Sequence, residues 1–278
     1  MRSDGTGIRP LRRGGVAAGV SSGLSWSPNG RRIAFSDGLR MWVMDADGTH
    51  VVCVDRTEGG RLGPGPPAWS PTGRWIAYSA SRRNPATNTW ERDIWVVRTD
   101  GSEVRRLLKT PHVDYDVAWS PSGRRVAVTE VWTGELYVMN VDGTHPRALT
   151  PGFAALSPEW SPDGRTIVVE HALPNTSAME WEIWVVDVRN GRRHRLSPVS
   201  YEPARHPTWS PDGRMVAFVR GDSGWGDGIN VGARPRSAAE IYVMNADGAG
   251  LTRLTRNRLG EAFPAWQPTG APRDPGGG

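Results

Sequence analysis

The sequence predicts an all-β fold, a β-propeller of four-stranded antiparallel blades. Three observations predict it. A tryptophan followed by a proline-glycine turn recurs six times, at Trp26, Trp69, Trp119, Trp160, Trp209 and Trp266. The intervals of 43, 50, 41, 49 and 57 residues each match the length of one small sheet. Between the tryptophans lie short β-branched and aromatic runs bounded by glycine turns, with no helical segment between them.

The first strand of each repeat ends at the tryptophan. Proline stands two positions earlier in four repeats, at Pro67, Pro158, Pro207 and Pro264. We expect it to be the first residue of the strand, where the missing N–H is tolerated. Ser-Pro-x-Gly then turns the chain, since proline presets φ and glycine supplies the left-handed position.

The second and third strands follow as hydrophobic runs such as Ile33-Ala34-Phe35 and Met41-Trp42-Val43-Met44. An Asp-Gly or Asn-Gly hairpin turn ends the third strand of every complete repeat. The fourth strand is brief and closes on Val54 or on a leucine, namely Leu107, Leu149, Leu196 or Leu254.

The two ends of the chain do not supply a full repeat. Residues 1–14 align with the end of a third strand and with a fourth strand, and residues 260–270 supply a first strand. We therefore predict five complete blades plus an incomplete sixth, within a single domain over residues 1–270. The blades lie near 20–57, 63–110, 113–152, 155–199 and 203–257, and residues 271–278 form a disordered Pro/Gly tail. One hypothesis for the missing strands is that Met1 is an internal methionine of a longer reading frame.

The paired signatures Trp-Ser-Pro-Asp-Gly-Arg and Tyr-Val-Met-Asn-Ala-Asp-Gly, followed by Arg-x-Leu-Thr, resemble the WD40-like repeat of TolB-like β-propellers. The resemblance covers nearly the whole chain. It implies a binding platform in a bacterial envelope context, where TolB-type proteins are periplasmic and contact lipoprotein or colicin partners. No signal peptide is evident in the chain as given, so a periplasmic or extracellular location requires a start upstream.

Composition excludes several classes of function. The net charge is +5, but many arginines recur at one repeat position after the turn glycine and the rest are dispersed among 29 acidic residues, so we expect no nucleic-acid partner. Cys53 stands alone and the six histidines are isolated, so neither a metal site nor a cofactor is expected. A cation held in the central channel by carboxylates of several blades stays open as an alternative. No stretch approaches the roughly 18 apolar residues of a membrane span.

Insertions concentrate between the second and third strands, on the face opposite the glycine turns. We expect a binding site there, because long loops on a rigid scaffold are where recognition usually occurs. Blade-to-blade connections on the same face add residues that include Asp114 and Asp116. The candidate binding residues are Arg82, Arg83, Trp90, Arg92, Tyr115, Trp132, Trp181, Tyr201, Arg205, His206, Trp225, Asp227 and Arg234.

A second acidic set immediately precedes the third strand in four blades, at Asp93, Glu135, Glu182 and Glu240. Because the same position recurs, we interpret these acids as having a structural partner rather than a ligand.

No catalytic constellation is found, so we expect a monomeric, non-enzymatic scaffold that binds a protein or peptide. Two alternatives stay open. Similar propellers precede the catalytic domain of prolyl-oligopeptidase-like serine peptidases, and related ones form polysaccharide lyases, so the chain could be the propeller portion of such an enzyme. The third hypothesis is a saccharide-binding propeller that stacks sugars on Trp90, Trp181 and Trp225.

Overall fold

The computed structural model describes residues 23–55, 61–83, 88, 90–108, 114–130, 133–173, 181–198, 202–221, 239–256 and 262–268. These residues form 21 β-strands and no helix. Accordingly, no helix capable of crossing a membrane occurs in this part of the chain.

The strands form five antiparallel sheets, which confirms the five predicted blades. Blade one contains β1 (Leu24–Trp26), β2 (Arg32–Ser36), β3 (Met41–Asp45) and β4 (Val52–Cys53). Blade two contains β5 (Arg61–Leu62), β6 (Ala68–Trp69), β7 (Trp75–Arg83), β8 (Trp90–Arg98) and β9 (Val104–Leu108). Blade three contains β10 (Asp114–Trp119), β11 (Arg125–Glu130), β12 (Leu136–Asn140) and β13 (Arg147–Ala148). Blade four contains β14 (Ala155–Trp160), β15 (Thr166–Ala172), β16 (Trp181–Asp187) and β17 (Arg193–Arg195). Blade five contains β18 (Ala204–Trp209), β19 (Met215–Arg220), β20 (Glu240–Asn245) and β21 (Thr252–Arg253).

The placement of the prolines corrects one prediction. Pro158 and Pro207 are not the first residues of their strands but lie inside β14 and β18. In both strands the pairing register shifts at this point, between Leu156 and Glu159 and between Arg205 and Thr208. The bulge leaves the proline outside the hydrogen-bonded ladder, so the missing N–H is tolerated within the strand.

Blade two corrects a second prediction, because its insertion continues the sheet. Strands β7 and β8 pair from Trp75↔Arg98 out to Arg83↔Trp90. Arg82, Arg83, Trp90 and Arg92 therefore belong to an extended hairpin and not to a loop. The inner position of this blade is divided between β5 and β6, which both pair with β7.

The hydrophobic core lies between blades. Each cluster of buried side chains joins two neighbours: Met41 and Val43 of blade one pack with Tyr78 of blade two, and Val138 of blade three packs with Ile167 of blade four. Both faces of an interior blade are covered in this way, so the second strands are buried along nearly their whole length.

Two kinds of turn tie blades two to five to the blade that precedes each of them. In the Ser-Pro-x-Gly turns, a Cβ on each glycine would lie 3.6 to 3.8 Å from the proline ring of the preceding turn, for the pairs Gly73 with Pro28, Gly123 with Pro71, Gly164 with Pro121 and Gly213 with Pro162. In the second hairpin, a Cβ on Gly191 would lie 2.6 Å from the Leu149 carbonyl oxygen, and one on Gly248 would lie 2.8 Å from that of Leu196. The turn signature therefore builds contacts between blades as well as hairpins.

Residues 262–268 lie between blade five and blade one. The indole N–H of Trp266 donates to the Thr208 carbonyl (3.2 Å), and the Gln267 amide donates to the Gly30 carbonyl (3.0 Å). Phe263 packs beside His206, with ring centroids 4.1 Å apart. The segment thus bridges the two ends of the blade array, while residues 1–14, assigned by sequence to the same sector, lie outside the described residues.

We expect Gly191→Ala to destabilise the protein by about 3 kcal/mol or more, because it combines a positive φ of 72° with a clash against the backbone of the neighbouring blade. Gly152→Ala is the matched control, since φ is 65° there but a Cβ would meet nothing within 4 Å. That variant should lose only about 1 kcal/mol. Denaturant unfolding measures both, and equal losses would contradict the proposed inter-blade contact.

Candidate functional site

The innermost strands and residues 262–268 surround a central channel that contains a cavity of about 380 Å³. The wall repeats because each sector supplies the residues just before its tryptophan. The residue type differs most between sectors at two of these positions. Three residues before the tryptophan stand Gly23, Pro66, Asp116, Ser157, His206 and Phe263. One residue before it stand Ser25, Ala68, Ala118, Glu159, Thr208 and Ala265.

The ring of residues three before the tryptophan has a polar and an apolar half. Asp116, Ser157 and His206 come from consecutive blades, and Phe263, Gly23 and Pro66 complete the circle. The φ values at Ser157, His206 and Phe263 are 49°, 53° and 51°, in the left-handed region. In blades four and five this conformation belongs to the bulges, which turn backbone N–H groups away from the ladder of their own blade.

Asp116 is a buried acid, with 4% of its surface exposed. Its Oδ2 accepts a 2.9 Å hydrogen bond from the Ser157 backbone N–H of the next blade, and its Oδ1 is buried without a hydrogen-bond partner among the described residues. Desolvation raises the pKa of Asp116 to about 6, helped by the charge of Glu170 and opposed by the Ser157 hydrogen bond and by the Arg92 charge.

Glu170 and His206 continue the polar region into blades four and five, where His206 lines the cavity and Glu170 is buried in β15. The His206 backbone N–H donates to Glu170 Oε1 at 2.6 Å. The imidazole Nδ1 of His206 is buried and has no partner among the described residues. Desolvation lowers the pKa of His206, so the ring is neutral at pH 7.

Glu159 lies on the same wall, one residue before Trp160, and is partly exposed. Its Oε1 accepts hydrogen bonds from the Thr208 hydroxyl (3.2 Å) and from the Trp209 backbone N–H (3.1 Å). Desolvation raises the pKa of Glu159 to about 7, in opposition to both hydrogen bonds. Three acids of blades three and four thus accept hydrogen bonds from the inner strand of the following blade.

The structure brings four of the predicted site residues to this region or to the rim beside it. Arg92 donates to Ser79 Oγ at 2.9 Å and interacts electrostatically with Asp116. The Arg205 guanidinium lies 4.6 Å above the Trp181 ring, and His206 follows Arg205 on the channel wall. Trp181 begins β16 and Arg205 is near the start of β18, so both lie on the face of the connections between second and third strands.

The other predicted residues are not joined to the site by observed side-chain contacts. For Arg82, Arg83, Trp90 and Tyr115 the structure describes strand positions only, and Tyr115 lies in β10 rather than in a connection. The remaining candidates lie outside the described residues: Trp132, Tyr201, Trp225, Asp227 and Arg234.

The acids assigned to the position before the third strand have the structural partners expected of them, although Asp93, Glu182 and Glu240 lie within β8, β16 and β20 and only Glu135 precedes its strand. Arg106 pairs with Asp93 at 3.1 Å, Arg195 with Glu182 at 3.0 Å and Arg253 with Glu240 at 2.6 Å, each across to the fourth strand. In blade three Glu135 instead accepts a hydrogen bond from the Tyr137 hydroxyl at 3.0 Å.

Sequence reasoning missed Glu159 and Glu170 and did not single out Asp116. The available signal was a departure from the repeat, since no other blade carries an acid at the position of Asp116, Glu159 or Glu170. Despite these acids, no group of three or more His, Cys, Asp or Glu side chains within the described ranges is arranged to hold a metal ion.

Comparison with known families settles the architecture. The family model of the TolB beta propeller domain matches residues 20–233. The chain belongs to this family. Among solved structures, TolB from Acinetobacter baumannii superposes with a TM-score of 0.69 at 20% identity, over 89% of this chain and 57% of that one. At that identity the likeness shows the fold alone.

Two curated relatives are similar over part of their length. An uncharacterized protein of Agrobacterium fabrum is 31% identical over 158 residues, which are 50% of each chain. The uncharacterized peptidase YuxL of Bacillus subtilis is 25% identical over 208 residues, covering 73% of this chain and 28% of that protein. The chain therefore matches half or less of the length of these relatives.

Burial of the channel acids predicts an unusual pH dependence of stability. The folded-state pKa values of about 6 for Asp116 and about 7 for Glu159 lie above their usual values of 3.8 and 4.5. The folded protein therefore holds more protons than the unfolded chain in this window. Their contribution to the free energy of unfolding should fall as pH rises from about 4 to about 7.

Glu159→Gln keeps an acceptor for Thr208 and Trp209 but removes the titration. We expect it to equal the wild type near pH 4 and to exceed it by up to about 3 kcal/mol at pH 8. Denaturant unfolding across this range measures the effect. Glu103→Gln, at an exposed position, is the control and should leave the pH profile unchanged. Parallel profiles for Glu159→Gln and wild type would contradict the prediction.

Proposed function

We propose that this TolB-type propeller is a non-enzymatic binding domain that takes a protein or peptide segment at the channel mouth on the face of the connections between second and third strands. The observation that carries the proposal is the channel wall, where buried polar atoms of Asp116 and His206 have no partner among the described residues. Such atoms are costly to bury unpaired, and a bound segment supplies hydrogen-bonding groups.

The rim of the channel mouth beside this wall contains residue types that commonly anchor protein interfaces. Trp181 carries the Arg205 guanidinium over its ring, and its indole N–H is buried without a partner among the described residues. Tryptophan and arginine are the residues most enriched among binding hot spots. A segment crossing this rim would meet an aromatic surface, a cation and then the polar wall of the channel.

Trp181→Ala should therefore weaken binding of peptides selected against the wild-type chain from a displayed library, by at least about tenfold. Trp75→Ala is the matched control, because Trp75 also lies beneath arginines, Arg98 and Arg105, but begins β7 on the opposite face. Titration calorimetry with each purified variant measures both affinities. Selected peptides that respond to Trp75→Ala and not to Trp181→Ala would place the binding face on the other side.

A second candidate function is the propeller portion of a serine peptidase. It is favoured by the similarity to YuxL, which covers 73% of this chain but only 28% of that relative. The two proposals differ in whether the propeller works together with a catalytic domain, and neither places a reactive serine in the propeller itself.

The chain should not react with a fluorophosphonate probe of serine hydrolases under conditions that label a known serine peptidase. In-gel fluorescence of the folded chain, with the heat-denatured chain as background, provides the measurement. Saturable labelling of the folded chain would overturn the non-enzymatic proposal.

A further inference from the structure

We propose that the polar half of the channel wall recognises a primary ammonium group carried by the bound segment. Asp116 and His206 line the cavity there, and Glu170, which is buried in β15 and accepts a hydrogen bond from the His206 backbone N–H, adds negative charge. Either a lysine side chain or a chain amino terminus provides that group. The inference rests on the proposed function in one respect, because the bound segment supplies the ammonium group. The site itself is defined by the charges and the hydrogen-bond acceptors of its residues.

Asp116 provides the first argument, because its carboxylate is buried and incompletely paired. Only 4% of its surface is exposed, it lines the cavity, and Oδ1 has no hydrogen-bond partner among the described residues. The observed partner of the carboxylate is the Ser157 N–H, which binds the other oxygen. A ligand that donates hydrogen bonds to Oδ1 would remove the cost of burying this atom.

The charge of the wall provides the second argument. Glu170 is also buried, with 4% exposed, and its charge acts on both Asp116 and His206. Arg92 offsets only part of this charge, since one guanidinium acts where two carboxylates are present. Two carboxylates in one desolvated region favour a cationic ligand and disfavour an anionic one.

His206 adds an acceptor rather than a charge. Its burial keeps the ring neutral, and its unpartnered Nδ1 accepts a hydrogen bond when Nε2 carries the proton. An ammonium group has three N–H donors and no acceptor, which suits a wall of acceptors. The described residues include no set of three ligands arranged for a metal ion, so a hydrogen-bonding cation fits this wall better.

The apolar half of the ring fits the stem of such a ligand. Phe263, Gly23 and Pro66 line the cavity beside the polar residues. Phe263 and Pro66 both lie close to Gly23, since a Cβ on Gly23 would lie 3.4 Å from Pro66 and 3.5 Å from Phe263. A ligand with a charged tip and a hydrocarbon stem would place each part against the matching half.

The site can be tested with n-butylammonium as a probe of the lysine tip, using the full chain and NMR or calorimetric titration at pH 7.5. We expect saturable binding that 1-butanol, which has no charge, and tetramethylammonium, which has no N–H donor, do not reproduce. Equal binding of butanol would show an apolar pocket only, and equal binding of tetramethylammonium would show a nonspecific cation effect. Either result would overturn the proposal.

Asp116→Asn tests the residue itself, because asparagine still accepts the Ser157 hydrogen bond but lacks the charge. We expect at least tenfold weaker butylammonium binding, whereas Glu103→Gln, which removes one exposed negative charge, should bind as the wild type does. Acidification through pH 6 should also weaken binding, since protonation of Asp116 removes its attraction for the cation and protonation of His206 adds a repelling charge. The charges of Glu170 and Arg92 also face Asp116. Affinity that is independent of both changes would overturn the assignment to Asp116.

Peptides distinguish the two sources of ammonium and separate this inference from the proposed function. Binding lost on lysine-to-norleucine replacement assigns a side chain, and binding lost on N-acetylation assigns the amino terminus. Peptides that depend on Trp181 but on neither amine would leave the proposed function standing and overturn this inference. If the chain binds butylammonium but no peptide, this inference stands and the proposed function is overturned.

Discussion

The structure depends on contact between successive blades, because a single four-stranded sheet leaves both of its faces exposed. Core side chains of one blade pack only against those of its neighbours, as Met41 does against Tyr78. The hairpin glycines set how closely two blades approach, since Gly191 and Gly248 abut carbonyl oxygens of the preceding blade with no room for a side chain. Once this spacing is fixed, the ring and the width of its central channel follow from repetition.

The same spacing creates the polar wall. A bulge in the inner strand frees a backbone N–H, and the preceding blade is close enough to supply its acceptor: Asp116 for Ser157 and Glu170 for His206. These bonds join blades three to four and four to five at the channel surface. A hydrogen bond that stabilises the ring therefore also holds each carboxylate in place beside the cavity, with Asp116 Oδ1 left unpaired.

The sequence predicted the fold because each blade repeats local signals: the tryptophan, the two glycine turns and the β-branched strands between them. It could not predict the channel site, because Asp116 and Ser157 are 41 residues apart and meet only when two blades pack. The extended hairpin of blade two was also missed. Arg82 and Trp90 flank residues typical of a turn or loop, and nothing local shows that the strands on either side continue past the body of the blade. Arg92, Arg205 and His206 were identified for a loop face, and the structure instead places them in strands.

The acids of the channel occupy positions where other blades carry no acid. The free-energy cost of burying their carboxylates indicates whether they serve the stability of the ring. At the position of Asp116, blades one and two carry Gly23 and Pro66, and the ring forms through those blades without a buried charge. Raising a carboxyl pKa to about 6 or 7 by burial costs about 3 kcal/mol at neutral pH. The ring therefore does not require these acids, and ring stability alone does not account for them. A ligand that pairs with the free Oδ1 of Asp116 offsets part of this burial cost only while it is bound. Because the fold is stable without the charge, the buried carboxylate acts in selecting a cationic ligand.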